Sequence, residues 1–128
     1  MVDAGATHPN FNHTYIMERY MSQPPKRYTE FKEKYSKIAS AYEDLGSAVH
    51  AGGPLDDKTR ALVKAAISIG AKLEGGAHAH VRKALAAGVT REELYHVALL
   101  AIPTIGFPSS MAAMSWIDDV VLGEKKKA

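Results

Sequence analysis

The spacing of apolar and polar residues along the chain predicts an all-α protein. Between the break at Pro24-Pro25 and the break at Gly52-Gly53-Pro54, apolar residues recur every three or four positions, which is typical of an amphipathic helix. We expect this helix to end near Gly46. No stretch of alternating apolar and polar residues bounded by turns predicts a strand. The apolar positions of the helix are Phe31, Tyr35, Ile38, Tyr42 and Leu45.

A second helix is predicted from Asp57 to Lys72, and its composition suggests self-association. Asp56 or Asp57 can cap its start by accepting backbone N–H bonds. Its polar residues form one narrow stripe, so the helix should be buried on most sides, and a single domain of this size has few places for such a helix. We therefore expect an obligate homo-oligomer. The stripe consists of Arg60, Lys64, Ser68 and Lys72.

Residues that start and stop helices follow Lys72 along the chain. Gly75-Gly76 should open a third helix that Gly88 closes, because glycine readily adopts positive φ. Thr90 and Glu93 stand in a capping-box relation, so another helix should begin at Arg91. Pro103, Gly106 and Pro108 interrupt it, and a last helix is expected from about Ser109 to Leu122. The buried residues of this last helix should be Ala113, Trp116, Ile117, Val120 and Val121.

The same signals divide the chain into three parts. Residues 1–27 contain three prolines and scattered aromatics and are interpreted as an irregular arm, with one short helical turn around Tyr15 to Met21. Residues 28–122 form a single helical domain, and residues 123–128 form a basic tail.

Composition narrows the classes of function. The net charge is only +2 and the basic residues form no stripe, so no nucleic-acid partner is expected. No apolar run is long enough for a membrane span and no secretory signal is recognisable, so we expect no membrane partner and a cytoplasmic location. The chain has no cysteine, which excludes thiol redox chemistry.

His80 is the first candidate for catalysis. It shares a helix side with the small or apolar residues Ala77, Val81 and Ala84, so it should face packed protein or a pocket. A histidine there can transfer protons near neutral pH. The alternative is a core histidine satisfied by one hydrogen bond.

A metal site is not expected. His78 lies roughly 200° around an ideal helix from His80, so the two side chains cannot ligate one ion within a regular helix. Glu74 lies four residues before His78 and favours a solvated pair. A zinc site would also need a third ligand, such as His50 or His96, and His96 is typical of a surface or interface position.

Two sequence features near the last helix can be interpreted as local structure. Ser109-Ser110 could suggest a nucleophile, but the chain has no Gly-x-Ser-x-Gly elbow, so capping is the better interpretation. Gly106-Phe107-Pro108 predicts a rigid turn whose Phe107 could form a pocket wall.

Taken together, these motifs resemble the carboxymuconolactone decarboxylase family, which includes the alkylhydroperoxidase D-like proteins. The resemblance covers roughly Leu55 to Leu122 and implies an all-α fold of the alkylhydroperoxidase D type that associates as trimers or hexamers. The segments that carry it are Leu55-Asp56-Asp57-Lys58-Thr59-Arg60, Ala79 to Leu85 with Gly88, Thr90 to Leu94, and Gly106-Phe107-Pro108 with Met111-Ala112.

The chain departs from the peroxidase branch of that family. The resemblance places Leu73 and Gly76 at the two positions of a Cys-x-x-Cys pair, and Ala61 at the position of a glutamate in a proton relay. Only His80 of that set remains. Thiol peroxidase activity is therefore not expected.

The decarboxylase branch needs no cysteine, and the resemblance implies a cofactor-independent lyase that acts on a small carboxylated lactone or related acid. By analogy, His80 is the general acid or base, and a cation such as Arg60 or Arg82 holds the substrate carboxylate. Arg82 lies nearly opposite His80 on its helix, so it could serve only a neighbouring subunit's site. The alternative is a catalytically retired member that binds a small ligand or serves as a structural oligomer.

Overall fold

The computed structural model describes residues 25–123, and within this range every regular element is an α-helix. The all-α prediction is confirmed. The arm at residues 1–24, with the turn predicted around Tyr15 to Met21, and the tail after Gly123 lie outside the described residues. The helices are α1 (Lys26–Lys34), α2 (Ser36–His50), α3 (Asp57–Gly70), α4 (Glu74–Ala86), α5 (Arg91–Leu100), α6 (Ile102–Ile105) and α7 (Phe107–Val121).

The first predicted helix is in fact two helices. The backbone leaves the helical region at Tyr35, where φ is −125° and ψ is 59°, and this residue separates α1 from α2. The expected end near Gly46 is also wrong, because α2 continues to His50. One glycine inside a helix costs only about 1 kcal/mol relative to alanine, so Gly46 does not stop it.

α2 exposes most of its apolar residues. Ala39 is its single buried residue, whereas Tyr42 is 66 % exposed in the isolated subunit. The α1–α2 pair is held together at Glu43, whose carboxylate accepts a hydrogen bond from Tyr28 (2.8 Å) and pairs with Lys32 (3.1 Å). The apolar stripe that predicts α2, which Val49 extends, is thus left uncovered by residues 25–123 of one subunit. Its exposed members are Ile38, Tyr42, Leu45 and Val49.

The core is built around the pair α3 and α4. Both helices place small or β-branched residues on their shared face, and this lets the two backbones approach closely. Asp56 is the N-cap of α3, since its carboxylate accepts a hydrogen bond from the Thr59 backbone N–H at 2.8 Å. The buried residues of the pair include Ala65, Ile69, Ala77, Val81 and Ala84.

α3 is less buried than its sequence suggests. It ends at Gly70, two residues before the predicted end, and Lys72 adopts a positive φ of 60°. Ser68 of the polar stripe is buried, whereas Ile67 is 63 % exposed and Val63 is also exposed. Within one subunit, α3 therefore turns part of its polar stripe inward and part of its apolar surface outward.

The turns that follow agree with their sequence signals. Gly88 has a φ of 96° and follows α4 directly after the C-cap residue. Thr90 and Glu93 form both hydrogen bonds of a capping box at the start of α5, at 3.0 Å and 2.9 Å. Gly106 has a φ of 106° between α6 and α7.

The last helix begins two residues earlier than predicted, at Phe107, with Pro108 in its first turn. Ser110 does not cap it. The Ser110 side chain is fully buried, and its hydroxyl donates a hydrogen bond to the Ala98 carbonyl at 2.7 Å, which joins α7 to α5. Ala113 and Ile117 are fully buried as predicted, while Trp116, Val120 and Val121 are partly buried against the core.

Among residues 25–123, none of the helices combines the length and the apolar character needed to cross a membrane.

The capping box gives a test of this fold. Thr90→Ala leaves the Glu93 backbone N–H without its side-chain partner, so we expect the free energy of unfolding to fall by about 1 kcal/mol. Urea unfolding at one fixed protein concentration measures this change. Thr104→Ala is the control, because the Thr104 hydroxyl bonds only to the Leu100 carbonyl four residues earlier and should contribute much less. Equal losses in the two variants would contradict the capping-box assignment.

Candidate functional site

His80 lies on α4 beside the face that packs on α3. Ala77 and Ala84, one turn before and after it, are fully buried, whereas His80 is only partly buried. Burial and the positive charges of Lys83, Lys64 and His50 lower the pKa of His80 to about 4. The imidazole of the free protein is therefore neutral at pH 7 and can accept a proton.

Lys64 and His50 form a direct contact beside α4. The Lys64 Nζ and the His50 Nε2 are 2.8 Å apart, and this hydrogen bond connects the end of α2 to the middle of α3. Burial, followed by the charges of Lys83 and Arg60, lowers the pKa of Lys64. Burial, followed by the charge of Lys64, also lowers the pKa of His50. The two nitrogens share a hydrogen bond in surroundings that disfavour a second positive charge.

These side chains define what we call the cationic cluster, which consists of His50, Arg60, Lys64, His80 and Lys83. Three helices contribute to it, since His50 ends α2, the arginine and first lysine lie on α3, and the other two lie on α4. Asp57 acts on it as a single opposing charge that raises the pKa of His50. The excess of positive charge makes the cluster suitable for an anion.

Arg60 already has partners at one edge of the cluster. Its guanidinium donates to the Leu55 carbonyl (3.0 Å) and to the Asp57 carboxylate (2.6 Å), both at the start of α3. It still lowers the pKa of both His50 and Lys64 through its charge. Two arginines are predicted to hold the substrate carboxylate, and of these Arg60 belongs to the cationic cluster.

None of the described hydrogen bonds or ion pairs of residues 25–123 joins Arg82 or Phe107 to His80. Arg82 is not among the groups whose charge acts on His80, and burial alone lowers the pKa of its guanidinium. Phe107 is the first residue of α7 and is 58 % exposed in the isolated subunit.

The positions that carry the thiol relay in the peroxidase branch have no reactive group here. Leu73 precedes α4 and is 55 % exposed, and Gly76 lies in the first turn of α4. A β-carbon at Gly76 would approach the Ser68 hydroxyl and the Leu73 β-carbon to 3.4 Å each, so the space beside this glycine is already narrow. Ala61 packs against the core.

His78 belongs to a different group. Its Nε2 is 3.0 Å from the Asp119 carboxylate of α7, which also connects α4 to the last helix. Glu74 brings a third possible ligand atom, and the three atoms lie within 4.8 Å of one another. The His78–Asp119 hydrogen bond holds two of these three groups together. His96 is exposed on α5.

Sequence reasoning predicted His80 and Arg60 as site residues but did not group them with His50, Lys64 and Lys83. A signal was present, because Arg60, Lys64 and Ser68 recur every four residues on an otherwise apolar helix. Such a stripe is equally compatible with a solvated face and with a polar site between helices. Only the tertiary contacts of α3, with α4 and, through Lys64, with His50 at the end of α2, distinguish the two.

The helical architecture and the motifs around His80 define the class of protein. The family model of the carboxymuconolactone decarboxylase family matches residues 36–119, and the chain belongs to this family. The match begins at the start of α2, well before Leu55, so it includes His50.

A similar protein carries no stated activity. A relative described as an uncharacterized protein of Haemophilus influenzae is 33 % identical over 67 residues, which cover 52 % of this chain and 59 % of the relative. The chain thus spans little more than half the length of that relative. No solved structure matches the chain.

Replacing Lys64 tests the electrostatics of the cluster. Lys64→Gln removes one of the positive charges that act on His80, so the pKa of His80 should rise above about 4. NMR titration of the imidazole resonances measures the midpoint. Lys58→Gln is the control, because Lys58 is exposed and pairs with Glu93 outside the cluster. A His80 midpoint that is identical in the wild type and in Lys64→Gln would contradict the assignment of Lys64 to this site.

Proposed function

We propose that the chain is a cofactor-independent lyase that decarboxylates a small carboxylated lactone or related acid at the cationic cluster. The observation that supports this proposal is the partly buried His80, whose pKa is lowered to about 4 by burial and by the charges of Lys83 and Lys64, so that it is neutral at pH 7. The family name identifies decarboxylation of a lactone acid as the reaction to test first. The absence of cysteine excludes the thiol chemistry of the peroxidase branch.

In this proposal, Lys64 and Arg60 hold the substrate carboxylate. Lys64 offers up to three N–H donors, of which the contact with His50 uses no more than one. Arg60 is paired with the exposed carboxylate of Asp57, and a substrate carboxylate can compete for the same guanidinium. Lys64, which the sequence analysis did not select, is the main anchor of the acid in this proposal.

His80 changes its protonation state when the acid binds. The carboxylate offsets the positive charges that lower the pKa of His80, so this pKa rises toward its ordinary value and the imidazole takes up a proton. During decarboxylation the electrons of the breaking carbon–carbon bond flow into the conjugated lactone carbonyl, and CO₂ leaves. His80 then gives its proton to the carbon that lost CO₂, and solvent restores the proton.

We also propose that the chain assembles as a trimer or hexamer. The exposed apolar stripe of α2 and the exposed Val63 and Ile67 of α3 would be covered by neighbouring subunits. In such an assembly Arg82 could reach a neighbour's site, and Phe107 could close a pocket whose other wall comes from another subunit.

The alternative is a retired family member that binds a small acid without turning it over. It is favoured by the loss of reactive groups at Ala61, Leu73 and Gly76, and it uses the same cationic cluster. Binding without release of CO₂ would support this alternative over the lyase.

A matched pair of ligands tests carboxylate binding. The γ-butyrolactone carrying a ring carboxylate should bind and raise the pKa of His80, whereas uncharged γ-butyrolactone should do neither. Lys64→Gln should lower the affinity for the lactone carboxylate by about tenfold or more, as expected for the loss of a charged hydrogen bond of about 1.5–3 kcal/mol. Calorimetry in buffers of different ionisation enthalpy should show proton uptake at pH 6, which lies between about 4 and the raised pKa.

Release of CO₂ from carboxymuconolactone tests the chemistry. His80→Gln should lower turnover by about 10²-fold or more, the usual contribution of a general acid. His96→Gln is the matched control, because His96 is exposed on α5 outside the cluster. Arg82→Gln reports whether a neighbour's arginine takes part. Unchanged turnover in His80→Gln would refute the assigned role of His80.

Native mass spectrometry tests the assembly. The mass should correspond to three or six copies of the chain, because residues 25–123 of one subunit leave the apolar faces of α2 and α3 uncovered. Ile67→Glu, which places a charge on the exposed face of α3, should shift the spectrum toward smaller species. A wild-type spectrum dominated by monomer at micromolar concentration would contradict the proposed assembly.

A further inference from the structure

Lys64 differs from other lysines of the described chain in its surroundings. Lys32 pairs with Glu43 and Lys58 pairs with Glu93, both on the surface. Lys64 makes no ion pair within residues 25–123, and its Nζ instead contacts the His50 Nε2 at 2.8 Å. The charges that lower its pKa are those of the cations Lys83 and Arg60.

These surroundings favour a neutral amine. A lysine that is partly desolvated and close to other cations loses its proton more readily than an exposed one, and a neutral amine is a nucleophile. The pKa of Lys64 is lowered by burial first and by Lys83 and Arg60 next. Burial and the charges of Lys64 and Arg60 lower the pKa of His50, which favours a neutral imidazole whose Nε2 can take a proton from the Lys64 ammonium.

We propose that Lys64 is a covalent nucleophile, which forms an imine with small carboxylic acids that also carry a ketone or aldehyde. The geometry that supports this is the direct contact of the Lys64 Nζ with the His50 Nε2 inside the cationic cluster. The inference rests on the proposed function in one respect, since the same cluster holds the carboxylate of the acid. In this role the acid is anchored by Arg60 and Lys83, which leaves the amine of Lys64 for the carbonyl.

Formation of the imine requires neither an oxidant nor a metal ion. His50 takes a proton from the Lys64 ammonium, and the amine lone pair forms a bond to the carbonyl carbon while the carbonyl π electrons move to oxygen. A proton moves from nitrogen to that oxygen, which gives the carbinolamine. Protonated His50 returns its proton to the hydroxyl, water leaves, and a protonated imine remains.

The imine would serve as an electron sink for a 3-oxo acid. The electrons of the bond to the carboxylate flow into the imine nitrogen, CO₂ leaves, and an enamine forms. Protonated His80 gives a proton to the enamine carbon, and water then hydrolyses the imine to release the ketone and free Lys64. A 2-oxo acid such as pyruvate stops at the imine and is therefore a suitable trapping reagent.

Reductive trapping tests the proposal on the intact chain. The protein is incubated with pyruvate and sodium cyanoborohydride, and peptide mass mapping measures the rate of labelling at each lysine. We expect Lys64 to be labelled at least about tenfold faster than the exposed Lys58. Acetone, which has the ketone but no carboxylate, should show a much smaller preference for Lys64. His50→Gln should slow the labelling of Lys64 and leave Lys58 unchanged.

Lys64→Arg is the control for the label, because arginine keeps the positive charge and forms no imine, so this variant should lose the preferential label. Failure of the nucleophile can be distinguished from failure of the proposed function, because binding of the lactone carboxylate to the wild type requires no imine. A thermal melt close to that of the wild type confirms that the variant folds. Labelling spread over exposed lysines with no preference for Lys64 would overturn the nucleophile, and the proposed carboxylate binding would then stand or fall by the lactone titration.

Discussion

The close packing of α3 on α4 is the constraint on which the rest of the structure depends. Their shared face is made of small side chains such as Ala65, Ala77 and Ala84, all fully buried. Small side chains let helix backbones approach closely, and residues that flank such a face are brought into one another's field. The same contact that forms the core therefore places Lys64 of α3 beside His80 and Lys83 of α4.

The packing of α3 on α4 brings the positive charges of the cationic cluster together, although folded proteins ordinarily keep like charges apart. Crowded cations in partly desolvated surroundings oppose protonation, and the effect is seen in the low pKa of His80, at about 4, and in the lowered pKa values of His50 and Lys64. Such perturbed groups occur more often at functional sites than elsewhere. An anion relieves the repulsion, which connects the electrostatics of the free protein to the class of ligand we propose.

The N-terminal helices have a second role. α2 buries little of itself in one subunit and ends at His50, whose ring contacts Lys64. The helix thus contributes one residue to the cationic cluster, and its apolar stripe is not covered by the described residues of the same subunit. Any partner that covers this stripe would also fix the position of His50. Assembly and site chemistry would then be coupled through one helix.

The sequence by itself determined the helical class, the family motifs, and the local signals at Asp56, Thr90 and Gly88, because caps and turns depend on neighbouring residues. It also determined that no thiol chemistry is available. It did not determine the break at Tyr35 or the burial of Ser110, where tertiary contacts override local preference. Only the tertiary structure decided that Lys64 of the polar stripe joins a cationic cluster, because His50 and His80 are distant in sequence from Lys64 and come near it only through tertiary contacts.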